Sequence, residues 1–526
     1  MRTSARELLG QLLDTDSFVS WDRPPVTVAA SPQYRDALRK AAVAAGTDES
    51  VLTGEGLLRG RRVAVIACEF GFLAGSIGVA AAERIVSAVE RATELGLPLV
   101  ASPTSGGTRM QEGTVAFVQM VKIAGAVAAH KSAGHPYLVY LRNPTMGGVF
   151  ASWGSLGHIT FAEPGALIGF LGPRVYQALY GRPFPEGVQT AENLYRRGVI
   201  DGVLPIPVFR RIAHRALSVF SGVELPDSVA AQPVSDRRVG QPQMFESDAN
   251  QGAAQQLRPD SPRIRAEADA VWQSVEISRR PQRPGIRELL RHVTQRVPLS
   301  GTGQGESDRT AVHALGRFRG QPCVVFGHDR RGQQGENTMG PAALREARRS
   351  MALAQELRLP LVLVIDTVGA ALSKEAEERG LAPEIARCIA DLVTLDTPTV
   401  SVLLGQGTGG GALALLPADR VLAATHGWLA PLPPEGASAI VFRDTDHAAE
   451  LAAAQRISAA DLLADGVVDR IVPEFPDAAD EPVDFARRMV AAIAHELATL
   501  RARPESELLA ARQARYRRLG LSGGTS

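Results

Sequence analysis

Cysteine is scarce in this 526-residue chain: Cys68, Cys323 and Cys388 are its whole complement. Three scattered thiols build neither a disulfide framework nor a C-x-x-C metal site. Cys68 and Cys323 lie in apolar, strand-like runs, where a cysteine serves as a small buried hydrophobe. Aromatic residues make up 5% of the chain and hydrophobic residues 45%. The core must therefore come mainly from Ala, Val, Leu and Ile, as in helix-rich α/β proteins. Lysine is confined to Lys40, Lys122, Lys131 and Lys374 among 57 basic residues, an arginine bias that is first of all compositional. A net charge of +1 gives no field that argues for nucleic acid or a membrane surface as partner. There is no N-terminal apolar h-region and no unbroken apolar run long enough to span a bilayer. The expectation is a soluble protein in a reducing, cytoplasmic setting. The usual catalytic signatures are missing too: no G-x-S-x-G elbow, P-loop, H-E-x-x-H or Rossmann fingerprint in its proper context.

What the chain does have is glycine placed between strands and helices. Pro144-Thr145-Met146-Gly147-Gly148-Val149 follows the strand-like run Tyr137–Leu141 and precedes a helix-compatible segment beginning near Phe150. Gly405-Gln406-Gly407-Thr408-Gly409-Gly410-Gly411-Ala412 follows Thr399–Leu404 in the same way. Adjacent glycines at a helix start expose backbone N–H groups where the dipole favours negative charge. Such groups stabilise an enolate without a charged side chain.

The chain length suggests two to four domains. Strands are expected at Arg61–Cys68, Leu97–Ala101 and Tyr137–Leu141, alternating with helices over about 79–95 and 115–133. This pattern indicates a mainly parallel α/β core. Glu224 to about Pro262 is rich in Pro, Gln, Ser, Asp and Gly without apolar period, which reads as a linker. The resulting domains are 1–225, a linker at 226–262, 263–500, and a helical or disordered tail at 501–526.

The second half repeats the first. Ala92–Val100 matches Ala354–Val362, the Gly147 turn matches the Gly409 turn, and Arg197–Pro205 matches Asp465–Pro473, in the same order at nearly the same spacing. Asp201 and Asp469 recur within the repeat, which favours a turn role for both. Arg109 and Glu112 lie in the glycine-rich turn after the second strand, either as a pair holding the loop or as a substrate contact. His130 and His135 flank a helix end and are expected at the surface or as caps. A site of backbone N–H groups with no evident side-chain base suits a reaction whose base arrives with substrate or cofactor.

The ordered motifs resemble the two carboxyltransferase subunits of bacterial acetyl-CoA carboxylase, fused in one chain. The β-like features are Phe72…Gly75-Ser76-Ile77-Gly78, Ser105-Gly106-Gly107-Thr108-Arg109-Met110-Gln111-Glu112, the Pro144–Val149 turn, Ala162–Phe170, Gly172-Pro173-Arg174 and Gly198–Asp201. The α-like features are Pro281–Pro284, Ile365-Asp366-Thr367-x-Gly369-Ala370, Ala376–Gly380, the Gly405–Ala414 stretch and Pro434–Ser438. Together they cover most of 61–473. The resemblance implies two crotonase-like (ββα superhelix) domains in tandem. It also implies carboxyl transfer from carboxybiotin, on a separate carrier protein, to acetyl-CoA or another short acyl-CoA. The carboxybiotin, on losing its carboxyl group, would take the acyl α-proton. Gly147 and Gly148 would hold the thioester enolate oxygen, and Gly411 and Ala412 the biotin ureido oxygen. Donors of this kind contribute on the order of 3 kcal/mol each. Substrate-binding positions implied are Gly75, Gly78, Gly106, Gly107, Arg109, Gly169, Arg174, Gly409 and Gly410.

Two departures stand out. The four-cysteine zinc ribbon of β subunits is missing, so no metal is expected, and Gln406 stands where the α-type loop usually carries Glu. No biotin-accepting M-K-M motif or ATP-grasp segment occurs, which calls for separate biotin carboxylase and carrier partners. A homodimer is expected, because acyl-CoA sites of this family meet across a subunit interface. Two other readings remain open: a malonyl-thioester decarboxylase, and a catalytically weak scaffold that binds carboxylase partners.

Overall fold

The computed structural model describes residues 2–221 and 262–521. The expected linker falls outside the described residues except for Pro262, which starts the helix Pro262–Ser278. The described residues form two compact units that interleave along the sequence: 2–108, 126–172 and 185–221 in one, 109–125, 173–184 and 262–521 in the other. Two segments of the first half thus belong to the second unit. Thr114 illustrates one attachment: its hydroxyl donates to the carbonyls of Leu429 and Gln455. Gly113 leaves no room beside it, since a Cβ there would lie 2.6 Å from the Gln455 oxygen.

The first unit holds a seven-stranded sheet in the order β1-β2-β3-β4-β5-β7-β9. These are Val19–Ser20, Val51–Leu58, Arg61–Cys68, Leu99–Ser102, Tyr137–Leu141, Ile159–Ala162 and Gly202–Val203. A two-stranded parallel pair, β6 (Thr145–Met146) and β8 (Ile168–Gly169), stands apart. β2 and β3 form an antiparallel hairpin, and β3-β4-β5-β7-β9 run parallel. The second unit repeats the plan. β10 (Gln295–Leu299), β11 (Ala311–Phe318) and β12 (Gln321–His328) are antiparallel. β13 (Leu361–Thr367), β14 (Thr399–Thr408), β15 (Arg420–Ala424) and β17 (Arg470–Val472) continue in parallel, and β16 (Trp428–Ala430) pairs with the end of β14.

The repetition extends to single residues. Each hairpin turns on Arg-Gly with positive φ at both residues, +51° and +79° at Arg59-Gly60, +44° and +88° at Arg319-Gly320, the backbone that a two-residue hairpin turn needs. Each following helix, Val79–Glu94 and Pro341–Leu357, starts after an extended glycine, Gly78 or Gly340. The expected strand–strand–helix repeat is therefore present in both halves. Leu8, Leu12, Val63, Val65, Tyr140 and Phe209 build one core. Val325, Val364, Val402, Phe485, Met489 and Leu497 belong to the other.

Two expectations need correction. No helix starts near Phe150: turns lead to a single 3-10 turn at Trp153–Ser155. The Ser152 hydroxyl takes the Gly148 carbonyl and the Ser155 hydroxyl that of Phe150, so side chains occupy acceptors that a helix would use. His130 is neither exposed nor a cap: it is fully buried, with Nδ1 2.9 Å from the Thr93 hydroxyl. Separately, Met110–Ser132 is by length and composition apolar enough to cross a membrane, although no unbroken apolar run spans it. Gln119 and Lys122 interrupt the run without lowering its mean hydropathy enough, and 72% of its most apolar window is buried inside the protein.

The final segment is a helix, Glu505–Arg518. Its buried Arg512 binds the Asp419 carboxylate and the carbonyls of Leu392, Leu395 and Thr397.

Candidate active site

The first glycine turn grows out of β5. Ser105 N–H donates to the Pro144 carbonyl, and Met146 N–H to that of Ser105. The loop 103–108 is thereby tied to the turn on both sides. Gly147 adopts φ +65°, a left-handed conformation that disfavours any residue with a Cβ. Its N–H is already spent, donating to the Gly169 carbonyl at 3.1 Å. The N–H groups of Gly148 and Val149 meet no acceptor among the described residues. The donors on offer are thus Gly148 with Val149, one residue beyond the pair expected from sequence. Gly107 crosses close by: its Cα lies 3.5 Å from where a Cβ of Gly147 would be.

The second turn is the same object 262 positions later. Gly409 has φ +61° and begins the short helix Gly409–Leu413, which Thr408 precedes without a side-chain capping bond. In a helix starting there, Gly410 and Gly411 carry N–H groups with no internal partner, while Ala412 is placed to make the first internal bond. The register Gly147/Gly409, Gly148/Gly410, Val149/Gly411 moves the expected pair back by one, from Gly411 and Ala412 to Gly410 and Gly411. Against each turn lies a matching loop. The Ser105 hydroxyl accepts from Gly107 N–H at 3.0 Å, and the Thr367 hydroxyl from Gly369 N–H at 3.1 Å. Gly107 and Gly369 have φ +124° and +136°. A Cβ on Gly411 would lie 3.4 Å from the Ala370 nitrogen.

The other expected positions divide by role. Gly75 is a packing glycine, since a Cβ would sit 2.3 Å from the Thr104 carbonyl. Gly169 backs the first turn and is filled from behind by Gln189. Gly78 precedes its helix, and Gly106 donates to the Ala74 carbonyl. Arg109 is buried and faces the Glu112 carboxylate at 3.7 Å, which favours the loop-holding role. Arg174 lies in the helix Pro173–Tyr180, and its side chain is outside the described residues. Asp201 and Asp469 are turn residues as expected: their carboxylates accept from Thr160 and Val421 N–H, whose carbonyls in turn accept from the two aspartate N–H groups.

Around the second turn the structure adds partners that the sequence reading left without a role. Gln406 Oε1 accepts from Arg279, which Glu435 holds in a bidentate pair at 2.5 and 3.1 Å. The Gln406 N–H donates to the Asp366 carboxylate. The 262-residue register was the signal available: carried through, it places Thr367–Gly369 opposite Ser105–Gly107 and Asp366 opposite Thr104.

A family model described as the carboxyl transferase domain matches residues 4–508. The chain belongs to that family. Among similar proteins, the probable biotin-dependent acyl-coenzyme A carboxylase beta3 subunit of Mycobacterium tuberculosis is 62% identical over 521 residues, covering 99% of each chain. The acetyl-coenzyme A carboxylase carboxyl transferase subunits beta/alpha of Salinispora tropica are 37% identical over 539 residues, covering 99% of this chain and 91% of that protein. A crystal structure of transcarboxylase 12S, with methylmalonyl-coenzyme A and methylmalonic acid bound, shares 20% identity at a TM-score of 0.36 over 96% of this chain and 91% of that one. The protein is thus a carboxyltransferase of the biotin-dependent acyl-CoA carboxylase group. Its two glycine turns are the structural feature that the two halves share.

Proposed function

We propose that this carboxyltransferase moves a carboxyl group from carboxybiotin, borne on a separate carrier protein, to acetyl-CoA or another short acyl-CoA. One observation carries the reading: two equivalent glycine turns, each offering backbone N–H donors at its start. Two oxyanions have to be held in such a reaction, the thioester enolate oxygen and the ureido oxygen of biotin.

The Gly148 turn would take the thioester oxygen. N–H donors fixed by backbone geometry need no reorganisation as charge develops, which is the source of their effect. The Gly410 turn would take the ureido oxygen. Its donors, the neighbouring Gln406 and the paired Arg279 suit a neutral carbonyl that gains negative charge. When bound, carboxybiotin supplies both the carboxyl group and the base. The chain's share is to hold the two oxygens, one at each turn. Gln406 in place of Glu adds no third carboxylate beside Asp366 and Glu435. A second copy of the chain and a separate biotin carboxylase and carrier, in the cytoplasm, complete this reading.

The test is the reverse half-reaction with malonyl-CoA and free biocytin. Acetyl-CoA formation that requires biocytin supports the proposal. Equal formation without biocytin supports the decarboxylase, and CoA binding without turnover the scaffold. A stable, active monomer in gel filtration would contradict the paired assembly.

A further inference from the structure

In each half, one side chain ties the strand ahead of the loop to the strand ahead of the glycine turn, and the two halves do it with opposite polarity. In the first, the Thr104 hydroxyl donates to the Pro144 carbonyl at 3.0 Å. In the second, the equivalent residue is Asp366, and its Oδ1 accepts the N–H of Gln406, the residue equivalent to Pro144, at 3.2 Å. The change follows from chemistry. Proline has no N–H to satisfy, so the tie uses its carbonyl; Gln406 has one, so residue 366 must accept.

Asp366 is itself held on every side. It is 2% exposed. Its N–H donates to His328 Nδ1 at 3.3 Å, and its carbonyl accepts from Gln333 Nε2 at 2.9 Å. The other end of Gln333 accepts from the Thr367 hydroxyl and the Val368 N–H, which are the start of the loop facing the second turn. Oδ2 is buried, makes no hydrogen bond and lies 3.4 Å from the Arg330 guanidinium. Gly405 is bare where the carboxylate passes: a Cβ there would sit 2.7 Å from Oδ1.

We infer that Asp366 is a positioning residue for the second glycine turn, setting β14 against the Thr367–Ala370 loop through the Gln406 N–H. The inference rests on the proposed function only for which ligand that turn receives. It is the acceptor oxygen, not the charge, that does the positioning. The consequence is an order of effects that a merely structural buried aspartate would not give. Asp366→Ala removes the acceptor and should lower biocytin-dependent kcat by about a hundred-fold, the size of losing an aligned oxyanion donor. The KM for malonyl-CoA and the affinity for CoA should stay within two-fold. Asp366→Asn keeps an oxygen for Gln406 and should restore kcat to within about ten-fold of the parent. Gly405→Ala, which displaces the carboxylate without altering it, should reproduce the alanine effect and guards against a misfolded Asp366 variant.

Backbone hydrogen exchange over 405–411 gives a readout independent of turnover. Protection should fall in Asp366→Ala and Gly405→Ala and persist in Asp366→Asn. Parent protein without biocytin-dependent turnover would defeat the functional reading, while the exchange pattern would still decide the positioning. Unchanged protection in Asp366→Ala and Gly405→Ala, or an asparagine variant as impaired as the alanine one, overturns the inference.

Discussion

Gly147 and Gly409, 262 positions apart, turn the chain with the same left-handed backbone, φ +65° and +61°. Around each, the nearest atoms would leave ordinary or slightly tight room for a methyl group: Gly107 Cα at 3.5 Å and the Pro431 oxygen at 3.4 Å. Substitution is therefore resisted by backbone strain more than by collision. Alanine at either position should cost about 1–2 kcal/mol of stability. As the turn relaxes, activity should drop by about a hundred-fold or more. Thermal unfolding and kcat measured on the two variants check both effects, and equal losses at the two positions would mark the turns as functionally equivalent.

Gln406 gives a charge test. Its side chain shares Arg279 with Glu435, so Gln406→Glu would place two carboxylates on one guanidinium, with Asp366 behind. Like charges at this spacing disfavour ionisation. Biocytin-dependent turnover should acquire a new dependence on pH in the acidic range, with activity rising as one carboxylate is protonated. A pH profile superimposable on that of the parent protein would contradict this.

Arg283 anchors the start of the second half. It is 3% exposed and pairs with the buried Glu474 and, at 2.7 Å, with Asp477. Removing Glu474 leaves Arg283 with Asp477 as its carboxylate partner and breaks charge-assisted hydrogen bonds in a buried place. Glu474→Gln should destabilise by about 1–3 kcal/mol, read by denaturant unfolding, whereas Arg39→Ala, at an exposed pair, should cost under about 1 kcal/mol.

Histidine burial fixes a pH limit. Burial holds His130, His313 and His328 down at about 4, below their ordinary value of 6.5. Between these values the unfolded chain binds protons that the folded chain does not, so stability falls as pH drops below 6.5 and is progressively lost toward 4. Each such histidine removes about 1.4 kcal/mol per pH unit in that window. A thermal midpoint flat from pH 7 to pH 4.5 would contradict it.

Much of this was legible in the sequence because strands and glycine turns announce themselves locally. Arg61–Cys68 and Tyr137–Leu141 are strands to the residue, since near-continuous Val, Leu, Ile and Tyr runs have one stable use between helices. The repeat located both turns. What stayed hidden depends on contacts between distant residues. Gly147 looked like a donor because nothing in the sequence shows that Gly169 takes its N–H. The absent helix after Phe150 turns on two serine hydroxyls competing for carbonyls. Residues 109–125 join the second unit through contacts such as Thr114 with Gln455, 341 positions apart. Asp366 lay within a recognised motif, and only the opposed polarity of Thr104–Pro144 and Asp366–Gln406 gives it a role.

The central claim is transfer, as opposed to simple loss, of the carboxyl group. The most direct measurement follows the label from carboxyl-labelled malonyl-CoA with the purified protein and biocytin, trapping carboxybiocytin before it decomposes. The account predicts label in carboxybiocytin in step with acetyl-CoA formed, and none of either when biocytin is omitted. Label released only as bicarbonate, at a rate indifferent to biocytin, would contradict it.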